Sequence, residues 1–147
     1  PEGRELYLSE EKLPQVRHLA GMIFLHDSLP WPAFSDMTPY HTIWAAQDEL
    51  GWGDEVDFFG YWENADVLEP MDEALVASIF RNNGRLLICL FNNTDDAQQA
   101  PLKLDLQALG VEASALRDFE SDETFALADG ATTVPVVARN FRLLLTE

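Results

Sequence analysis

Basic residues are the scarcest component of this 147-residue sequence. Nine Lys and Arg stand against 26 Asp and Glu, for a formal net charge of −17. Phosphate binding needs clustered Lys and Arg, so nucleic acid is excluded as a partner, and an anionic membrane surface is disfavoured on the same ground. The deficit is sharpest between His18 and Phe80, a window with no Lys or Arg and twelve acids. There is one cysteine, Cys89, set inside the apolar run from Leu86 to Phe91. A lone thiol makes neither an internal disulfide nor a zinc site, and a small buried core residue is expected. Cysteine usage therefore leaves the compartment unassigned. No apolar run approaches the roughly 20 residues of a membrane helix. Gly-rich phosphate loops and Ser nucleophile elbows are missing. His18, His26 and His41 lack zinc spacing, and the acids Asp54, Glu55 and Asp57 lack the EF-hand pattern. No cofactor and no metal are expected.

What is present is a core-forming composition, 47% apolar and 24% charged. The four tryptophans and three histidines all fall between His18 and Trp62, and neither type occurs from Arg81 onward. The chain opens on Pro1 with no methionine and no secretory leader pattern, and is expected to be a piece of something longer. After a polar segment to about Arg17, Leu19 to Leu25 reads as a buried strand ending at His26-Asp27-Ser28. A loop through Pro30, Pro32 and Pro39 follows. Tyr40 to Leu50 reads as a helix, with Thr38 as N-cap, Pro39 in the first turn and Gly51 as the stop. Val56 to Trp62 reads as a second strand. Strand, helix, strand is one βαβ unit.

The second half has a different rhythm. Ala74 to Phe80 and Arg85 to Asn92 read as strands joined at Asn82-Asn83-Gly84, where Asn-Gly suits a type I′ hairpin turn. Leu102 to Leu106 alternates apolar and polar residues. Shorter strands are expected at Ala113 to Phe119, Thr124 to Leu127, Thr132 to Val137 and Phe141 to Leu145, with Asp129-Gly130 as a turn and Pro135 on an edge. The predicted fold class is α+β: a short βαβ-like segment over residues 1–70, then a small antiparallel β-sandwich over 71–147.

The residues with chemistry to offer sit at expected strand ends. In α/β folds such positions face the ligand side. His26 and Asp27 can hydrogen-bond sugar hydroxyls or move a proton, or can simply bond nearby backbone. Trp62 can stack on the apolar face of a pyranose, with Glu63 beside it as acid, base or hydroxyl ligand, or can pack against the β-module with Glu63 solvated. Paired carboxylates such as Asp27 and Glu63 are the usual equipment of glycoside hydrolysis. Trp52, between two glycines, can line a cleft, while Trp44 on the helix is expected in the core. Asn92-Asn93-Thr94 fits the weak glycosylation pattern.

The order Phe24-Leu25-His26-Asp27-Ser28-Leu29-Pro30, a helix, Val56-Asp57-Phe58-Phe59-Gly60-Tyr61-Trp62, then Val76 through Leu87, and finally Asn140-Phe141-Arg142-Leu143-Leu144-Leu145 resembles the C-terminal part of bacterial glycoside-hydrolase-like proteins. These are (β/α)₈ barrels with an appended β-sandwich. The resemblance spans about residues 20 to 146. It implies the end of a barrel plus the following β-domain, with the catalytic residues mostly on earlier barrel strands, and maps no nucleophile or acid onto a position here. The expected function is an accessory region of a carbohydrate-active protein, inactive alone, with His26, Asp27, Trp62, Glu63 and Trp52 on the rim of a sugar site. The alternative is a non-catalytic structural or carbohydrate-binding β-module that acts through protein association, although its β-half has no Trp or Tyr for a platform. A lone pair of parallel strands would expose apolar edges, so the expected partners are carbohydrate and either the missing remainder of a barrel or a second copy.

Overall fold

Pro14 opens a helix. Proline in the first turn gives up no hydrogen bond, because the first N–H groups of a helix have no intrahelical acceptor. The computed structural model describes residues 12–30, 36–72 and 74–147. In it α1 spans Leu13–Leu25 and buries Val16, Ala20, Gly21, Phe24 and Leu25. Steps of three to five residues between them mark one helical face. The expected buried strand at Leu19 to Leu25, and with it the βαβ unit, is corrected accordingly: Leu19 and Met22 inside that run are exposed, as they are on the outer side of a helix. The segment before residue 12 and Pro32 of the expected loop lie outside the described residues.

The second helix, α2, spans Thr38–Leu50 with Pro39 in its first turn; the cap position falls on Met37 rather than Thr38. Both helices end in the same backbone motif. After α1, the Asp27 and Ser28 amides bond the Phe24 and Ile23 carbonyls at 3.0 Å, and Asp27 has φ 49°. After α2, the Gly51 and Trp52 amides bond the Asp48 and Gln47 carbonyls at 3.1 and 3.0 Å, and Gly51 has φ 88°. This is the Schellman arrangement, in which a left-handed residue lets two amides turn back on the last carbonyls.

The strands are β1 (Asp57–Phe59), β2 (Leu75–Asn82), β3 (Arg85–Asn92), β4 (Gln98–Lys103), β5 (Ala115–Asp118), β6 (Thr124–Ala126), β7 (Ala131–Val136) and β8 (Asn140–Thr146). A one-turn helix, α3 (Leu106–Leu109), follows β4. Six strands form one antiparallel sheet in the order β1-β2-β3-β8-β5-β6, and β4 pairs with β7 in a second, two-stranded sheet. The β2–β3 hairpin turns on Asn83 and Gly84, both at positive φ (49° and 72°), as a type I′ turn demands. The expected strand at Val56 to Trp62 shortens to β1, which pairs antiparallel with β2 through Phe58 opposite Phe80. The Leu102–Leu106 strand moves earlier, because the Asp105 carboxylate accepts from the Ala108 amide at 2.9 Å and starts α3. Pro135 lies on β7, whose strand partner among the described residues is β4.

The result is an α+β, sandwich-like fold in three layers. On one face of the large sheet, Ile79, Leu86, Ile88, Leu90 and Leu144 meet Ala100, Leu102, Val134 and Val136 of the small sheet. On the other face, Phe80, Leu87, Cys89, Phe91 and Phe141 meet α1 and α2. Residues Leu86–Phe91 of β3 are therefore all buried, and a strand covered on both faces has no polar side to alternate with. Burial pushes the Cys89 thiol far above its ordinary value. Gly21 lets α1 approach β8 closely, since a Cβ there would fall 2.4 Å from Phe141 Cδ1.

Candidate functional site

Ser78 positions the exposed corner of the helical layer. It is fully buried on β2, donates its hydroxyl to the Leu25 carbonyl at 2.6 Å, and accepts the Tyr61 amide at 3.1 Å. One oxygen thus ties the end of α1 to the turn that follows β1. Asn64, also buried, secures the far side of that turn by donating to the Ala77 carbonyl at 2.8 Å.

His26 and Trp62 come together across this junction. Their rings stack at 5.8 Å between centroids with 18° between planes. Tyr61 stands edge-on to both, and Phe58 edge-on to Trp62. His26 Nδ1 lies 2.7 Å from the Met22 carbonyl, which only accepts, so Nδ1 carries the hydrogen. In the neutral ring Nε2 is then the acceptor for the Tyr61 hydroxyl at 3.3 Å. Trp62 remains 53% exposed. Its benzo ring rests on Gly60, where a Cβ would come within 2.6 Å of the indole.

Asp27 and Trp52 meet elsewhere, in a cleft of about 110 Å³ between the C-terminal ends of α1 and α2. The other lining groups include Tyr40, Trp44 and Gln47 of α2. Positions 40, 44 and 47 recur on one helical face. Trp44 is corrected from core to cleft, being 40% exposed, beside Trp52 at 38%. Trp52 is braced from behind by Phe80 at 5.1 Å and Phe24 at 6.2 Å. Desolvation holds the Asp27 carboxyl above its ordinary value. Glu63 is exposed in the turn after β1, with its amide on the Gly60 carbonyl at 2.9 Å.

The five sequence candidates thus divide: His26 and Trp62 share an aromatic corner, Asp27 and Trp52 share a cleft, and Glu63 stands on the adjoining turn. Tyr61, Trp44 and Gln47 join them, and their helical or turn spacing was the signal available for finding them. The glycosylation pattern is corrected: Asn92 is buried and its amide donates to the Asp96, Val136 and Val137 carbonyls at 2.9 to 3.1 Å. No group of three or more His, Cys, Asp or Glu arranged for a metal occurs among the described residues. A wider hollow of about 660 Å³ near Asp105 and Asp129 is built from groups already engaged, since Asp105 caps α3 and Lys103 Nζ donates to the Asp129 carbonyl.

The family model of the glycoside hydrolase 123 C-terminal domain matches residues 39–140. A GH30 endoxylanase from Clostridium papyrosolvens aligns with a TM-score of 0.60 at 8% identity, covering 91% of this chain and 38% of that one. An Anoxybacillus α-amylase aligns with a TM-score of 0.53 at 13% identity, covering 76% of this chain and 23% of that one. At these identities the likeness is one of fold, and the chain spans well under half the length of either protein. Comparison with curated protein sequences gives no match.

Proposed function

The chain belongs to the glycoside hydrolase 123 C-terminal domain family, and on that premise we propose that it is an accessory region of a carbohydrate-active protein, lending a rim to the sugar site. Trp62 is the observation that carries this reading. A half-exposed indole, stacked on His26 and flanked by Tyr61, keeps apolar surface in water while its neighbours hold it in place. Such surface gains free energy when a pyranose C–H face or a protein surface covers it. Leu19 and Met22, exposed on the outer side of α1, favour a covering protein surface beside the aromatic corner, and the remainder of a barrel is the partner this reading assigns. The segment up to residue 70 is then the junction with the catalytic part, 71–147 is the β-unit, and β1 fastens one to the other.

Catalysis needs the whole constellation held in place, so the chain alone turns over no glycoside. The test pairs an aryl-glycoside hydrolysis panel with oligosaccharide binding followed by tryptophan fluorescence. The expected result is no hydrolysis, with binding that weakens in Trp62→Ala. Sustained hydrolysis refutes the accessory assignment, and binding indifferent to Trp62→Ala refutes the rim.

A further inference from the structure

The cleft between the helix ends has a composition that packing alone does not call for. Two indoles, Trp44 and Trp52, keep about two fifths of their surface exposed on its walls. Asp27 lines the same space, and its carboxylate makes no hydrogen bond or ion pair with the described residues. The Gln47 side chain is likewise unengaged there, its backbone carbonyl alone serving the helix cap. Aromatic walls with a few convergent polar groups are the usual make-up of a small-molecule site.

We infer that this cleft is a subsite for one uncharged pyranose residue, its C–H face on the indoles of Trp44 and Trp52 and its hydroxyls on the Asp27 carboxylate and the Gln47 amide. The inference rests on the sugar-rim reading and deepens it. Size limits the ligand to no more than one ring, part of which stands in the open mouth: about 110 Å³ is well below the ~300 Å³ at which drug-sized pockets begin. Charge sets the class. Among the described residues no Lys or Arg lines the cleft, and none occurs from His18 to Phe80, so a uronate or sulfated sugar would bring its anion beside Asp27 with no described cation to neutralise it. A hydroxyl donor supplies a hydrogen bond that the described residues do not give the carboxylate. Desolvation raises the Asp27 carboxyl, and a hydroxyl donated to its charged form would lower it again.

The test is ligand-observed saturation-transfer NMR on the 147-residue chain with methyl glucoside, methyl galactoside and glucuronate. Near-ultraviolet circular dichroism checks that each variant is folded. The expected result is weak binding of a neutral pyranoside and none of glucuronate. Trp44→Ala and Trp52→Ala should each weaken binding about tenfold, in line with the loss of an aromatic stacking surface. Trp52 also braces the core, so Asp27→Asn is the second probe: it keeps the shape, removes the charge, and should admit glucuronate. Binding unchanged in Trp44→Ala, Trp52→Ala and Asp27→Asn overturns the subsite. If Trp62→Ala alone then abolishes binding, the rim stands without the subsite. If neither methyl glycoside gives a transfer signal with the native chain, the subsite falls; the rim is then judged by its oligosaccharide titration.

Discussion

Replacing Ser78 with alanine removes one oxygen that serves two elements. The hydroxyl is fully buried, donates to the last carbonyl of α1 at 2.6 Å, and accepts the Tyr61 amide at 3.1 Å. Alanine fits the space without a clash, so the cost lies in the two backbone groups left without a partner. An unsatisfied buried donor or acceptor costs about 1–3 kcal/mol. Partial relaxation of α1 and the turn puts the expected loss for Ser78→Ala at about 2–4 kcal/mol. At about 2–4 °C per kcal/mol for a chain of this size, the thermal midpoint falls by roughly 5–15 °C. Urea unfolding followed by far-ultraviolet circular dichroism measures the first quantity, and a thermal scan measures the second. A separate readout addresses the site: once Ser78 no longer joins Leu25 to Tyr61, the His26–Trp62 stack loosens and Trp62 emission shifts to the red. Ser78→Cys, with a weaker donor, should fall between alanine and serine. A loss under about 0.5 kcal/mol, with Trp62 emission unchanged, would show that the two bonds are replaceable by water and that Ser78 does not hold the corner together.

Gly21→Ala puts a Cβ 2.4 Å from Phe141 Cδ1, and overpacking of this kind should destabilise the chain by about 1–3 kcal/mol by urea unfolding. Asn92→Ala removes the partner of the Val136 and Val137 carbonyls and of the Thr94 amide, while the Asp96 carbonyl keeps the Thr94 hydroxyl at 2.8 Å, at an expected cost of about 2–3 kcal/mol; the native Asn92 should stay unmodified by intact mass after expression in a glycosylating host. Asp27 has a pH signature of definite sign. Its folded-state value is raised, so its contribution to stability is fully present below the ordinary carboxylate range and is lost as pH rises through the raised value. Asp27→Asn should therefore raise the thermal midpoint at neutral pH, and the gain should vanish on acidification; a gain that persists or grows in acid would contradict the assignment.

How far the sequence revealed this architecture depends on where each signal was stored. The β2–β3 hairpin was legible because Asn83-Gly84 is a local code for two successive positive φ angles, and β3 because strands buried on both faces read as unbroken apolar runs. The same rule misled at α1. Leu19 to Leu25 is as apolar as a buried strand, yet only Ala20, Gly21, Phe24 and Leu25 within it are buried, and the period that separates helix from strand starts at Val16, upstream of the apolar run. The candidate residues were findable by type, since exposed Trp and a His-Asp pair are conspicuous in any chain, but their grouping was not. Trp52 follows a glycine that announces its left-handed turn, whereas Asp27 adopts the same conformation as a non-glycine residue, so the matching cap on α1 leaves no mark in the sequence. The pairing of Asp27 with Trp52 is a consequence of two identical helix endings lying side by side on one sheet face. The pairing of His26 with Trp62 depends on a serine 53 residues from its partner carbonyl, a separation across which no local pattern extends.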